Sequence, residues 1–120
     1  MSSKKISPRL QQYLVQLDRL QNTYLAVLSQ KQAIDTQLIE VKNALNEVEK
    51  AKKGQEIYKL AGNVLVRVNK ESIEKELTET KEILETRQKT LENEVKRLSK
   101  EIEKLNEIVS RMLKEEGVAT

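Results

Sequence analysis

The chain has 120 residues, of which 34% are charged, and a formal net charge of +3 from 22 basic and 19 acidic side chains. Cys and His are absent, which excludes disulfides, thiol nucleophiles, histidine bases and the common zinc sites. Phe and Trp are also absent, and a composition with only three glycines and many Leu, Glu and Lys residues is typical of long helices.

The first predicted element is a helix over residues 8–53. Ser7 suits the N-cap and Pro8 the first helical position, and Gly54 can end the helix. Between them, apolar residues recur at alternating spacings of three and four, which is the coiled-coil pattern. These positions form one stripe along the helix, which we call its seam. Eleven of its twelve positions are apolar, and Lys31 is the exception. The seam positions are Leu10, Tyr13, Leu17, Leu20, Tyr24, Val27, Lys31, Ile34, Leu38, Val41, Leu45 and Val48.

The second element is a β-hairpin over residues 55–68. Val64, Val66 and Val68 alternate along one strand, so one of its faces is wholly β-branched. A partner strand over residues 57–60 is joined to it through Ala61, Gly62 and Asn63, and the last two are residue types that tolerate positive φ. Two strands alone are marginally stable in water, and the apolar residues of the helices are already committed to a seam. The hairpin therefore predicts assembly with other chains.

The third element is a helix over residues 70–115 with Asn69 as its cap. One seam position recurs every seven residues as Leu77, Leu84, Leu91, Leu98, Leu105 and Met112. The other seam position is apolar at Val95, Ile102 and Val109 but polar at Glu74, Lys81 and Gln88, while Ile73 and Ile83 lie off the seam. The register of this first half of the helix is therefore less well defined.

The two seams match each other if the helices run antiparallel. Facing residues then have numbers that add up to 122, as for Leu10 with Met112 and Leu38 with Leu84. This register satisfies both seams and favours an antiparallel coiled coil within one chain. The alternative is a parallel coil between chains, with both helices diverging from the hairpin.

Chemical motifs are absent, so we expect no enzyme, no cofactor and no metal site. The glycines are isolated and form no phosphate-binding loop. Positive and negative charges alternate along the helices, which argues against a nucleic-acid partner. No apolar run is long enough for a membrane span, and the first residues lack a secretory signal, so we expect a soluble cytoplasmic protein with short flexible termini.

The free end of the helix pair carries more apolar residues than the seam requires. These residues are Ile6, Leu14, Val15, Leu28, Ile108, Leu113 and Val118. They indicate a slightly wider core, fraying ends without a function, or a contact surface far from the hairpin.

The segment Y-K-L-A-G-N-V-L-V, between two helical arms of equal length, resembles the β subunits of the prefoldin family, particularly the archaeal type. The similarity covers essentially the whole chain as a single domain, residues 1–120. It implies a mainly α fold in which a central hairpin joins an inter-subunit β-barrel. Prefoldin α subunits carry two hairpins between their helices, and this chain has room for only one.

The resemblance implies a chaperone that works without ATP, holds unfolded client proteins at the coiled-coil tips and delivers them to a group II chaperonin. The implied assembly is a hetero-hexamer of two prefoldin α subunits and four β subunits. Its subunit contacts map onto Ile57, Tyr58, Leu60, Val64, Leu65, Val66 and Val68. Client contacts map near Ile6, Leu10, Tyr13, Leu14, Val109, Met112 and Leu113.

Two other classes of function are alternatives to a chaperone. A structural coiled-coil spacer or tether without client binding would explain the helices equally well, but it has no need of a hairpin in mid-chain. A nucleic-acid-binding protein is suggested by the pI of 9.1 but lacks Phe and Trp for base stacking.

Overall fold

The structure, a computed structural model, describes residues 6–117 of the chain. In order, the elements are helix α1 (Pro8–Lys50), strand β1 (Ile57–Ala61), strand β2 (Val64–Val68) and helix α2 (Lys70–Glu115). The predicted fold class, two long helices with a central antiparallel hairpin, is confirmed. Of the short termini that were expected to be flexible, residues 1–5 and 118–120, including Val118, lie outside the described residues.

Helix α1 begins where the sequence predicts it. The Ser7 hydroxyl accepts a hydrogen bond from the backbone N–H of Leu10 at 3.1 Å, so Ser7 caps the helix and Pro8 takes its first position. At the other end the helix stops at Lys50 rather than at residue 53. The Ala51 N–H bonds the carbonyl three residues earlier, and the Lys52 N–H donates to the side chain of Gln55 instead of continuing the helix.

The hairpin is a regular antiparallel pair with a two-residue turn. Ile57 pairs with Val68 and Ala61 with Val64, so Ala61 belongs to the strand and not to the connection. Gly62 has φ of 61°, whereas Asn63 has negative φ. Positive φ at the first turn residue alone is the type II′ pattern, which needs glycine there and places no such demand on the second residue.

Helix α2 begins with the predicted cap. The Asn69 side-chain oxygen accepts hydrogen bonds from the backbone N–H groups of Glu71 at 2.8 Å and Ser72 at 3.3 Å. The Lys70 ammonium donates to the carbonyl oxygen of Ala51 at 2.9 Å. A lysine at the start of α2 therefore satisfies a free carbonyl just beyond the end of α1.

The chain divides into two compact units. The first comprises Met1–Gln30 and Leu91–Thr120, and the second comprises Lys31–Thr90, which contains the hairpin. Within the first unit the buried apolar side chains are Leu10, Val27, Leu91, Leu98, Leu105 and Val109. Within the second they are Ile34, Leu38, Val48, Ile73 and Leu84.

The second unit corrects one detail of the predicted seam. Ile73 is buried, whereas Glu74 is partly exposed. A carboxylate oxygen of Glu74 lies 3.9 Å from the ammonium nitrogen of Lys70. Because Ile73 lies one helical turn before Leu77, it can fill the space beside the seam that the polar residue at 74 leaves open. Ile83, the other residue placed off the seam, is exposed as expected.

Two of the polar seam residues, Lys31 and Gln88, meet at Asp35 in this unit. The Lys31 ammonium and the Gln88 amide each donate a hydrogen bond to the Asp35 carboxylate at 2.8 Å. The bond from Gln88, and then the one from Lys31, lower the pKa of Asp35 below its ordinary value. Asp35 and Gln88 lie on different helices, so this bond fixes the helices of the unit in the antiparallel register.

Candidate functional site

The hairpin presents two different faces. Side chains alternate across a strand, so Ile57, Val64, Val66 and Val68 share one face, which we call the valine face. Tyr58, Leu60 and Leu65 lie on the opposite one, the leucine face, where Leu60 and Leu65 pair directly. The seven residues predicted to contact other subunits are thus brought together in one hairpin but are divided between its two faces.

Most of these side chains are exposed. Leu60 is 68% and Leu65 65% exposed, and Tyr58, Val64 and Val66 are exposed as well. Only Ile57 and Val68, at the base of the hairpin, are half-buried. Full burial of each large apolar side chain is worth about 1.5–3 kcal/mol, so the exposed residues leave a substantial driving force for association unused. Within residues 6–117, the helices do not cover this surface.

Charged residues orient the hairpin on the rest of the second unit. The Lys59 ammonium lies on the valine face and reaches the Glu76 carboxylate of α2 at 2.6 Å. On the leucine face the Tyr58 hydroxyl donates to the Glu56 carboxylate at 2.6 Å, which raises the pKa of Tyr58. The sequence alone did not predict the ion pair between Lys59 and Glu76, although a lysine in an otherwise apolar strand is a signal for such a pair.

The predicted client-binding end lies in the first unit, and the structure places its residues differently from the sequence expectation. Leu10 is fully buried (0% exposed) and Val109 is also buried, although the resemblance places client contacts near both. Ile6, Tyr13, Leu14, Met112 and Leu113 are half-buried. The accessible apolar surface at this end is therefore formed by the seam residues Tyr13 and Met112 together with residues beside the seam.

The start of α1 and the end of α2 are joined by a contact that the sequence did not predict. Glu116, just beyond α2, accepts two hydrogen bonds from Ser7, one from its backbone N–H at 2.8 Å and one from its hydroxyl at 2.9 Å. These bonds hold the start of α1 against the end of α2. No spacing in the sequence pairs Glu116 with Ser7.

A shallow groove of about 230 Å³ lies beside this contact in the first unit. Tyr13, Ile108 and Met112 supply its apolar surface, and two arginines line it, with the Arg9 guanidinium 5.9 Å from the centre of the Tyr13 ring. Among the other apolar residues predicted here, Val15 is exposed, while Leu28 and Ile108 are half-buried. Glu115 also lines the groove, so this end combines partly exposed apolar groups with charges of both signs.

Metal sites and membrane-spanning helices are two further features that a chain of this kind could carry. Within residues 6–117 no group of three or more acidic residues is placed to hold a metal ion. In the same range, neither helix has a stretch apolar enough to cross a membrane.

Comparison with known proteins gives a consistent result. Residues 11–116 match the family described as prefoldin subunit. The prefoldin subunit beta of Sulfurisphaera tokodaii is 42% identical over 88 residues, covering 73% of this chain and 70% of that protein. The corresponding protein of Archaeoglobus fulgidus is 39% identical over 87 residues, covering 72% of this chain and 75% of that protein.

A solved structure shows the same fold. The crystal structure of the prefoldin beta subunit from Thermococcus strain KS-1 matches with a TM-score of 0.82 and 32% identity, covering 92% of this chain and 97% of that one. The chain therefore belongs to the prefoldin family as a chaperone subunit of the β type, which assembles with other prefoldin subunits.

Proposed function

We propose that the chain works as the β subunit of a hexamer with two prefoldin α subunits, holds unfolded proteins at the free end of its helix pair without ATP, and passes them to a group II chaperonin. The observation that carries the assembly is the exposed hairpin. Its two faces and both strand edges are open, and an uncovered two-stranded sheet gains stability from added strands.

Client binding is proposed at the end of the first unit that contains Ser7 and Glu116. Tyr13, Leu14, Met112 and Leu113 are half-buried there and keep part of their apolar surface in contact with solvent. Methionine adapts to partners of varied shape, and several weak contacts from several subunits give strong binding together. An unfolded protein, which exposes apolar side chains at irregular spacing, suits such a surface.

The test of client binding is a truncation. Deleting residues 1–14 together with 109–120 removes the proposed client contacts and leaves the hairpin and its supporting helices. We expect the hexamer with an α subunit to keep its native mass but to lose suppression of the aggregation of a denatured test protein, followed by light scattering.

A shorter deletion, of residues 1–5 and 118–120 only, is the matched control and should retain suppression. Full activity in the longer truncation would place client binding elsewhere. Loss of activity in the shorter one would assign client binding to the terminal segments. A hexamer of full-length chains that never suppresses aggregation would favour a spacer or tether.

A further inference from the structure

The contact between Ser7 and Glu116 completes a helix cap with residues from both helices. In a capping box, the N-cap side chain accepts the N–H of the third helical residue, and a glutamate at that third position accepts the N–H of the N-cap residue. Here Ser7 makes the first bond, to the N–H of Leu10. The third position is Leu10 itself, so it has no carboxylate, and Glu116 supplies one from beyond the end of α2.

This arrangement allows the third position to be apolar and buried. A glutamate at position 10 would cap the helix but could not fill the core at this end of the seam. Glu116 accepts both the backbone N–H and the hydroxyl of Ser7, so Leu10 can remain fully buried.

The stability of this contact depends on the pairing of the two helices. A carboxylate is favourable at a helix N-terminus and unfavourable at a C-terminus. The first turn of α1 contains no acidic residue, whereas Glu116 follows the last residue of α2. When the ends are together, Glu116 interacts with the positive end of α1. When they separate, it remains only an unfavourable charge at the end of α2.

We infer that Ser7 and Glu116 form a clasp that controls access to the apolar residues at the client-binding end. With the clasp closed, Leu10 and Val109 are buried and Tyr13 and Met112 are half-buried. Opening the clasp frees the first turns of α1 and exposes these side chains to an unfolded protein. This inference rests on the proposed client binding. It adds that the client-binding end has a closed state and an open state.

The clasp itself is tested by amide hydrogen exchange in the assembled hexamer. Glu116→Ala removes both bonds to Ser7 but leaves the Ser7 cap on Leu10 intact. We expect exchange in the first two turns of α1 to become about five- to ten-fold faster, the change typical of losing one capping interaction. Glu107→Ala removes a carboxylate from an exposed position of α2 and should leave exchange in α1 unchanged. Equal exchange in the Glu116→Ala variant and the parent would overturn the inference.

The control of access is tested by suppression of aggregation. Because Glu116→Ala exposes more apolar surface, we expect half-maximal suppression at a several-fold lower hexamer concentration than for the parent or for Glu107→Ala. In the opposite direction, a Ser7→Cys and Glu116→Cys variant can be bridged with a short bismaleimide, since the chain has no other cysteine. The bridged hexamer should suppress aggregation less than the same variant blocked separately with N-ethylmaleimide.

The outcomes separate this inference from the proposed function. If the long truncation abolishes suppression but neither Glu116→Ala nor the bridge alters it, client binding at this end stands and the clasp does not control it. If the long truncation retains full suppression, the proposed client site itself is wrong, and the control of access fails with it.

Discussion

Val66 provides the most direct single-residue test of the hairpin surface. It lies on the valine face and is 45% exposed in the single chain, so Val66→Asp places a charge in water there and leaves the helices folded. In an assembly that buries this face, the added carboxylate is taken out of water, which costs several kcal/mol even beside Lys59, because that ammonium already pairs with Glu76. We expect association with an α subunit to weaken at least about 100-fold, measured by native mass at a series of concentrations.

The matched control for this substitution is Thr78→Asp, which adds the same charge at an exposed position of α2. The control should assemble normally, and circular dichroism should show equal helicity for both variants. Full assembly of the Val66→Asp variant would mean that the valine face is not an interface.

Asp35 gives a pH-dependent prediction. Its pKa is lowered in the folded chain, first by the hydrogen bond from Gln88 and then by Lys31, so the ionised form stabilises the fold. This contribution is fully present above the ordinary pKa of 3.8 and is lost as the pH falls from there through the lowered pKa. We expect Asp35→Asn to lower the melting temperature at pH 7, and the difference from the parent to close in strong acid.

The measurement is thermal unfolding followed by circular dichroism between pH 7 and pH 2 for both proteins. The comparison between variants removes the effect of the other carboxylates, which titrate in both. A difference in melting temperature that stays constant down to the lowest pH would show that the Asp35 charge does not contribute.

At the scale of elements, the turn of the hairpin depends on one glycine. Gly62 has φ of 61°, and within residues 6–117 no atom beyond Gly62 and its two chain neighbours lies within 4 Å of the position that a Cβ would take, so a side chain meets backbone strain but no clash. Forcing an alanine into this left-handed conformation costs roughly 1–2 kcal/mol. Gly62→Ala should therefore weaken assembly about 5- to 30-fold, measured as the dissociation constant for an α subunit.

Asn63→Ala is the control within the same turn. Asn63 has negative φ, which alanine adopts freely, so assembly should change little. If both substitutions weakened assembly equally, the side chains of the turn and not its backbone would be responsible.

In the helices, polar residues within an apolar seam help to select the register in which the two helices pair. An unbroken apolar seam packs with many registers and partners, whereas a polar residue at a seam position favours the register in which it is satisfied, at a cost in stability. In the second unit, Lys31 and Gln88 both bond to Asp35. The lysine that interrupts the apolar pattern of α1 therefore helps to set the pairing.

At the scale of the whole molecule, the number of copies of each subunit in the complex can be predicted. Mixing the chain with a prefoldin α subunit should give one discrete species that contains four copies of this chain and two of the partner. Native mass spectrometry measures this directly, and the mass of each copy is 13.9 kDa. The chain alone, measured at the same concentration, is the control. A complex with equal numbers of the two subunits, or no complex, would contradict the proposed stoichiometry.

The sequence by itself determined the elements of this protein. Ser7, Pro8 and Asn69 begin the two helices because their caps are local interactions, and glycine at 62 marks the turn for the same reason. The heptad seams predicted an antiparallel pair because one register, in which the numbers of facing residues add up to 122, satisfies the seams of both helices. The exposed hairpin followed from the absence of spare apolar residues to cover it.

Only the tertiary structure decided the contacts between residues that lie far apart in the chain. The bonds of Glu116 with Ser7 and of Gln88 with Asp35 join residues separated by 109 and 53 positions. No periodicity encodes such pairs, because surface polar residues are numerous and their partners depend on small rotations of each helix. The burial of Ile73, which the sequence placed off the seam, likewise depends on how the helices of its unit pack.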